Sequence, residues 1–312
     1  MIKGQQGGDF SQNGYHQTID EQAGIIPSPS KIINKTTSQF YPQTNKAHPV
    51  IPSDTRQRNN LGMNPDLDNG NFNLQLTNLD EYRQQWDTNQ AVNITNLFPE
   101  TQINTLHSYY FDQPDDWWDL ILYPDPDFDY EQSAIDNPSY YHMYRAKSND
   151  PSITDRIAYC HELNNQGNFS YIYRRTNDLS VQLHSYLKIF QDKRFLDYLS
   201  NITGYENLEY SEGSTFISNY GPGHYNGPHT DGSNGRIAFV FHMSKDWKPE
   251  MGGLFMRMDW DWKTVNKVIS PPFNTLSIFD TKWKGKEGAP HLVSEVSQGI
   301  NNKRLSYTGW YK

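Results

Sequence analysis

The stretch HYNGPHTDG, residues 224–232, places His229 two positions before Asp231. In an extended segment, residues i and i+2 project to the same side, so an imidazole and a carboxylate converge there. Alone, the pair also fits a polar turn. With ten histidines in the chain, one such pair is expected by chance. His291 follows in GAPHLVSEV, sixty residues after Asp231, and Arg304-Leu305-Ser306 begins thirteen residues after that. Two imidazoles and a carboxylate can occupy one triangular face of an octahedral Fe(II), leaving three positions open. A bidentate 2-oxo acid would take two of these and dioxygen the third. The far carboxylate of such an acid needs a cation and a hydroxyl. An arginine fork with a serine or tyrosine hydroxyl supplies both. The same ligand set also accepts Mn, Co, Ni or Zn.

Other residues read more plainly. His224 has Asn226, not an acid, two positions on, and is expected in a loop. His242 shares a strand face with Ala238 and Val240 and is expected to be a hydrogen-bonded core histidine. Tyr225 either packs or lines a substrate mouth, and Arg236 either clamps a ligand or forms a structural ion pair. Trp283 and Trp310 are expected in the core. Cys160, the only cysteine, is expected to be a buried thiol.

These residues need elements to position them. Residues 1–75 are rich in Gln, Asn, Ser, Thr, Gly and Pro and show no sustained apolar period, so they read as a polar arm or tail. Residues 76–205 read as helical and strand support. LFPETQINTLHSYYF (97–111) has Pro99 and Glu100 at a helix start. Residues 112–140 are acidic, aromatic and broken by proline, and are expected to form a solvated loop. GNFSYIYRR (167–175) alternates as a strand. Helices are expected over 177–190 and 193–203, with Gly204 as the stop. Beyond 206 six short β segments follow, at 214–220, 235–244, 252–260, 274–280, 291–296 and 303–311. They predict an all-β barrel or sandwich with helices covering one face.

Composition narrows the class. The net charge of −9 with no basic stripe argues against a nucleic-acid partner. No apolar run of ~18 residues is present, so no membrane-spanning helix is expected. The start MIKGQQGGDF has no apolar core of a secretory signal, so the expected location is cytoplasmic, or virion-associated if the source is viral. One cysteine excludes disulfides and cysteine-rich metal clusters.

The ordered motifs resemble the Fe(II)/2-oxoglutarate-dependent dioxygenases, and within them the prolyl-hydroxylase-like branch that includes the hydroxylase of a ribosomal-protein proline. FLDYLSNITG (195–204), FISNYGPGHYNGPHTD (216–231), GRIAFVFHMSKDWKPEMGGLF (235–255), PPFNTLSIFD (271–280), HLVSEV (291–296) and RLSYTGWY (304–311) follow in the family's order. The resemblance covers 190–312 well and 76–190 loosely. It implies a double-stranded β-helix, a jelly-roll or cupin-like core, mostly β with flanking helices. It implies His229, Asp231 and His291 as iron ligands and Arg304, Tyr220 and Ser306 around the distal carboxylate of 2-oxoglutarate. Ascorbate is a further candidate cofactor. Arginine at 304, where collagen-type prolyl hydroxylases have lysine, points to the ribosomal type. The implied reaction hydroxylates an unactivated C–H bond on a peptide or protein substrate. The alternative is a structural or assembly protein, such as a component of a viral particle, using the same fold and binding through its N-terminal arm.

Overall fold

The computed structural model describes residues 79–124, 144–146, 151–176, 184–212, 214–231, 234–282 and 289–312. The expected arm at 1–75, the segment 125–140, the first half of the helix expected at 177–190, and Trp283 lie outside the described residues.

The elements run α1 (Leu79–Asn89), β1 (Ala91–Thr95), α2 (Glu100–Phe111), β2 (Asp119–Tyr123), β3 (Tyr144–Ala146), α3 (Ile153–Asn165), β4 (Tyr171–Thr176), α4 (His184–Leu187), α5 (Lys193–Thr203), β5 (Phe216–Tyr220), β6 (Tyr225–His229), β7 (Ile237–His242), β8 (Phe255–Met258), β9 (Val265–Ile269), β10 (Thr275–Asp280), β11 (His291–Val293) and β12 (Arg304–Tyr311). The strands form one twelve-stranded sheet in the order β1-β10-β7-β12-β5-β4-β6-β11-β8-β9, with β2 against β4 and β3 against β2. Every pairing is antiparallel. The sheet curls into the half-barrel of a jelly-roll, double-stranded β-helix core.

Alternation along β7, β10 and β12 separates the two faces. Ile237, Phe239 and Phe241 join Leu276, Ile278, Leu305 and Tyr307 in the main core. The helices cover that face through Trp86, Ile103, Leu106, Phe190, Phe195 and Leu199. Phe190 stacks flat on Phe239, with ring centroids 5.2 Å apart. Ala238, Val240, Ser306, Thr308 and Trp310 point the other way, into the concave side. Helix α5 starts at Asp192, whose side chain accepts from the Arg194 N–H at 2.8 Å, and stops at Gly204 in the left-handed conformation.

One expectation needs correction. The acidic segment after 112 is not a continuous solvated loop, because Asp119–Tyr123 is a strand with four buried residues. LILY is apolar enough to fill the gap beside β4, and the flanking acids hid that signal. Helix α2 begins one residue after Pro99, as expected.

Candidate metal centre

Strand β6 ends at His229, and β11 begins at His291 directly opposite it in the ladder. This pairing spans some sixty residues of sequence and sets the two ring centroids 4.2 Å apart. Asp231 follows where the chain leaves β6. Its Oδ1 lies 3.6 Å from His229 Nε2 and its Oδ2 lies 3.5 Å from His291 Nε2. One ligand atom from each of the three lies within 4.8 Å of the others.

The outward-facing nitrogens settle the tautomers. His229 Nδ1 donates to the Gly227 carbonyl at 2.8 Å, and His291 Nδ1 donates to the Ala289 carbonyl at 2.7 Å. Both rings therefore turn Nε2 toward Asp231. Such a backbone contact commonly orients a metal-ligating histidine. Burial, reinforced by His291, lowers the His229 pKa to about 4, so this ring is neutral near pH 7. Two imidazoles and a carboxylate suit a divalent metal, so the donor set fits iron.

A cavity of about 320 Å³ opens beside the three residues. Arg304 lies in it, 2 % exposed. Its Nε donates to the Gly253 carbonyl at 2.7 Å, and its guanidinium lies 5.0 Å from the Tyr220 ring, its ladder partner. No ion pair to Arg304 is formed among the described residues. A cation buried without a counter-ion is costly, and burial lowers the Arg304 pKa. The free Nη groups are thus suited to an anionic ligand. Gly253 makes room for this side chain: at φ +60°, a Cβ there would stand 2.8 Å from Arg304 Cδ.

Tyr220 and Ser306 also line the cavity. Burial raises the Tyr220 pKa, which keeps the phenol neutral. The Ser306 hydroxyl hydrogen-bonds with that of Ser218 at 2.7 Å, so its capacity is shared. The six residues singled out in the sequence therefore line one cavity.

The other candidates fall outside the centre. His224 is buried in the loop before β6, with Nδ1 accepting from the Gly221 N–H at 3.1 Å. His242 is buried, and its Nε2 contacts the Ser277 hydroxyl at 3.0 Å. Arg236 pairs with Asp280 at 2.9 Å. The Tyr225 hydroxyl donates to the Cys160 carbonyl at 2.7 Å, so Tyr225 packs rather than lining the cavity. Cys160 is a buried thiol that contacts the Tyr123 carbonyl at 3.4 Å.

Trp310, expected in the core, is buried but also faces the cavity. Sequence reasoning missed Tyr171, Tyr173 and Arg175 as cavity residues. Their alternation in YIYRR announced a strand with one shared face, but nothing in that pattern says what the face covers. Tyr173 stacks on Tyr220 at 5.2 Å and extends an aromatic wall toward Phe216, with which it stacks at 6.1 Å.

Comparison with known proteins adds a match over the C-terminal third of the chain. Residues 215–312 match the model of the 2OG-Fe(II) oxygenase superfamily. No curated protein sequence matches the chain. Among solved structures, a Pseudomonas putida prolyl-4-hydroxylase aligns at TM-score 0.42 and 14 % identity, covering 75 % of this chain and 98 % of its own. A Burkholderia pseudomallei oxidoreductase of the 2OG-Fe(II) oxygenase family aligns at TM-score 0.45 and 14 % identity, covering 75 % and 90 %. A Trichoplax adhaerens prolyl hydroxylase, solved with a hypoxia-inducible-factor peptide fragment, aligns at TM-score 0.41 and 14 % identity, covering 75 % and 88 %.

Proposed function

We propose that residues 215–312, which match the model of the 2OG-Fe(II) oxygenase superfamily, form a 2-oxoglutarate-dependent dioxygenase that hydroxylates a C–H bond of a peptidyl, prolyl substrate. The reading rests on one arrangement: three metal-type ligand atoms within 4.8 Å of one another, sharing a cavity with a buried arginine that has no counter-ion among the described residues.

In this reading His229, Asp231 and His291 hold Fe(II), and 2-oxoglutarate binds beside them. When bound, the two supply an oxidant strong enough for an unactivated C–H bond, with succinate and CO2 as by-products. The chain provides ligand geometry, orientation and exclusion of water. His229 and His291 keep their Nε2 atoms aimed inward through the Gly227 and Ala289 carbonyls. Arg304 Nη groups receive the distal carboxylate, held in place by the Nε bond to Gly253. Tyr220 packs its ring on that guanidinium and offers a neutral hydroxyl. Ser306 is a third, weaker contact. Phe169, Tyr171 and Phe255 line the cavity near the metal residues and limit water there.

Anaerobic addition of Fe(II) and 2-oxoglutarate tests this. A weak visible charge-transfer band is expected, and His229→Ala should abolish it. Absence of the band in correctly folded wild-type protein would refute the assignment. With the band present, release of succinate stimulated by proline-containing peptides tests the peptidyl substrate.

A further inference from the structure

A second arginine lines the same cavity. Arg175 stands on β4, two positions beyond Tyr173 on the same face, with its guanidinium 5.3 Å from the Phe216 ring. Its Nε is buried and has no hydrogen-bond partner among the described residues. Its cross-strand neighbour is Asp119, whose carboxylate lies 3.8 Å from Arg145 instead. No carboxylate among the described residues lies within ion-pair distance of Arg175. Phe216 also neighbours Trp310, whose ring is 6.3 Å away and whose buried indole N–H has no partner among the described residues. Two donor groups without a partner among the described residues thus lie beside one aromatic ring of the cavity lining.

The proposed ligands of the metal centre leave this arginine uncompensated. A divalent metal, Asp231, a 2-oxoglutarate dianion and Arg304 together balance to neutrality. One carboxylate of the co-substrate belongs to the metal and the other to Arg304, so neither remains for Arg175. A guanidinium in a partly desolvated cavity gains most from a planar anion that its fork can grip. We propose that Arg175 receives a carboxylate of the primary substrate, so that the enzyme selects an acidic substrate over its neutral amide. This rests on the proposed function for which residue is being hydroxylated, but the anion site itself needs only the cavity.

The test uses full-length protein loaded with Zn(II), which is redox-inert, and saturating 2-oxoglutarate. Acetylated prolyl compounds are titrated in calorimetry, carrying a carboxylate on the proline itself or one or two residues beyond it, each beside its amide twin. At least one acid is expected to bind tenfold or more tighter than its twin. Arg175→Gln should erase that difference and Arg175→Lys should restore part of it, while both variants keep the wild-type affinity for 2-oxoglutarate. Equal affinity for acid and amide throughout, no binding by any compound, or a preference that survives Arg175→Gln each overturns the proposal. Loss of 2-oxoglutarate affinity in Arg175→Gln also overturns it, by placing the residue in the co-substrate site. The charge-transfer band of the Fe(II) form is recorded in parallel. If the band is absent, the proposed function fails, and the same titration on metal-free protein still decides whether Arg175 is an anion site.

Discussion

At the scale of single residues, the cavity depends on charges kept dry. Arg304 is buried against the Tyr220 ring, and its Nε donates to the Gly253 carbonyl. Truncating one partner of a buried charge pair costs ~2–5 kcal/mol, roughly 30- to 4,000-fold in affinity. Arg304→Gln is therefore expected to raise the 2-oxoglutarate dissociation constant within that range and leave metal affinity near wild type. Calorimetry with each ligand separates the two effects. A second residue-scale expectation concerns pH. Burial, followed by Arg174, lowers the His224 pKa to about 3, and burial holds His242 well below its ordinary value. An unfolded histidine titrates near 6.5, so below that pH the unfolded chain binds more protons than the native one. This contribution to stability is complete above about pH 7 and is lost as pH falls from 6.5 toward the folded values, by up to ~1.4 kcal/mol per pH unit for each such group. Urea midpoints should therefore drop between pH 7 and pH 5. His224→Asn should flatten the slope by about one proton, and an unchanged slope would mean that His224 is protonated in the native state.

At the scale of elements, β12 couples the core to the site. Its outward residues Leu305, Tyr307 and Tyr311 enter the helix-covered core, while Arg304, Ser306 and Trp310 face the cavity. Gly309 lets the strand lie close: a Cβ there would meet Thr215 Cγ2 at 2.1 Å and Phe239 Cζ at 2.7 Å. Gly309→Ala is expected to destabilise the fold by ~1–3 kcal/mol, as overpacking does. It should also weaken 2-oxoglutarate binding, because Arg304 rides on the displaced strand. Thermal melts and the co-substrate titration read both effects, and a variant with wild-type melting and binding would show that β12 has slack there. Asp192 tests a more local device. Removing its N-cap bond to Arg194 should cost ~1 kcal/mol without touching the site.

At the scale of the whole molecule, the helices and the barrel of the described residues share one core. Strands β1, β2 and β4 come from the supporting region yet pair into the barrel sheet. Removing residues 1–75 is therefore expected to preserve succinate formation and folding, whereas truncation into β1 or β4 should abolish both. Loss of turnover on deleting 1–75 alone would assign the arm a part in catalysis. The assembly-protein alternative gains no support from the fold or the family match. Among the described residues no helix is long and apolar enough to cross a membrane.

The chain alone determined much of this. The pairs His229/Asp231 and Arg304/Ser306 were suggested by a two-residue period, a local rule, and their joining with His291 into one site was what the resemblance to the dioxygenases implied. The start of α2 and the end of α5 were legible for a similar reason, since Pro99 and Gly204 act on their own backbone. The strand Asp119–Tyr123 was obscured because its short apolar run lies between acids and prolines, and only pairing with β4 marks it as buried. Only the tertiary structure decided that β6 and β11 are ladder partners, that Tyr220 lies under Arg304, and that Arg175 shares their cavity. Those relations join residues far apart in sequence through sheet register, and register is set by which faces the whole core buries.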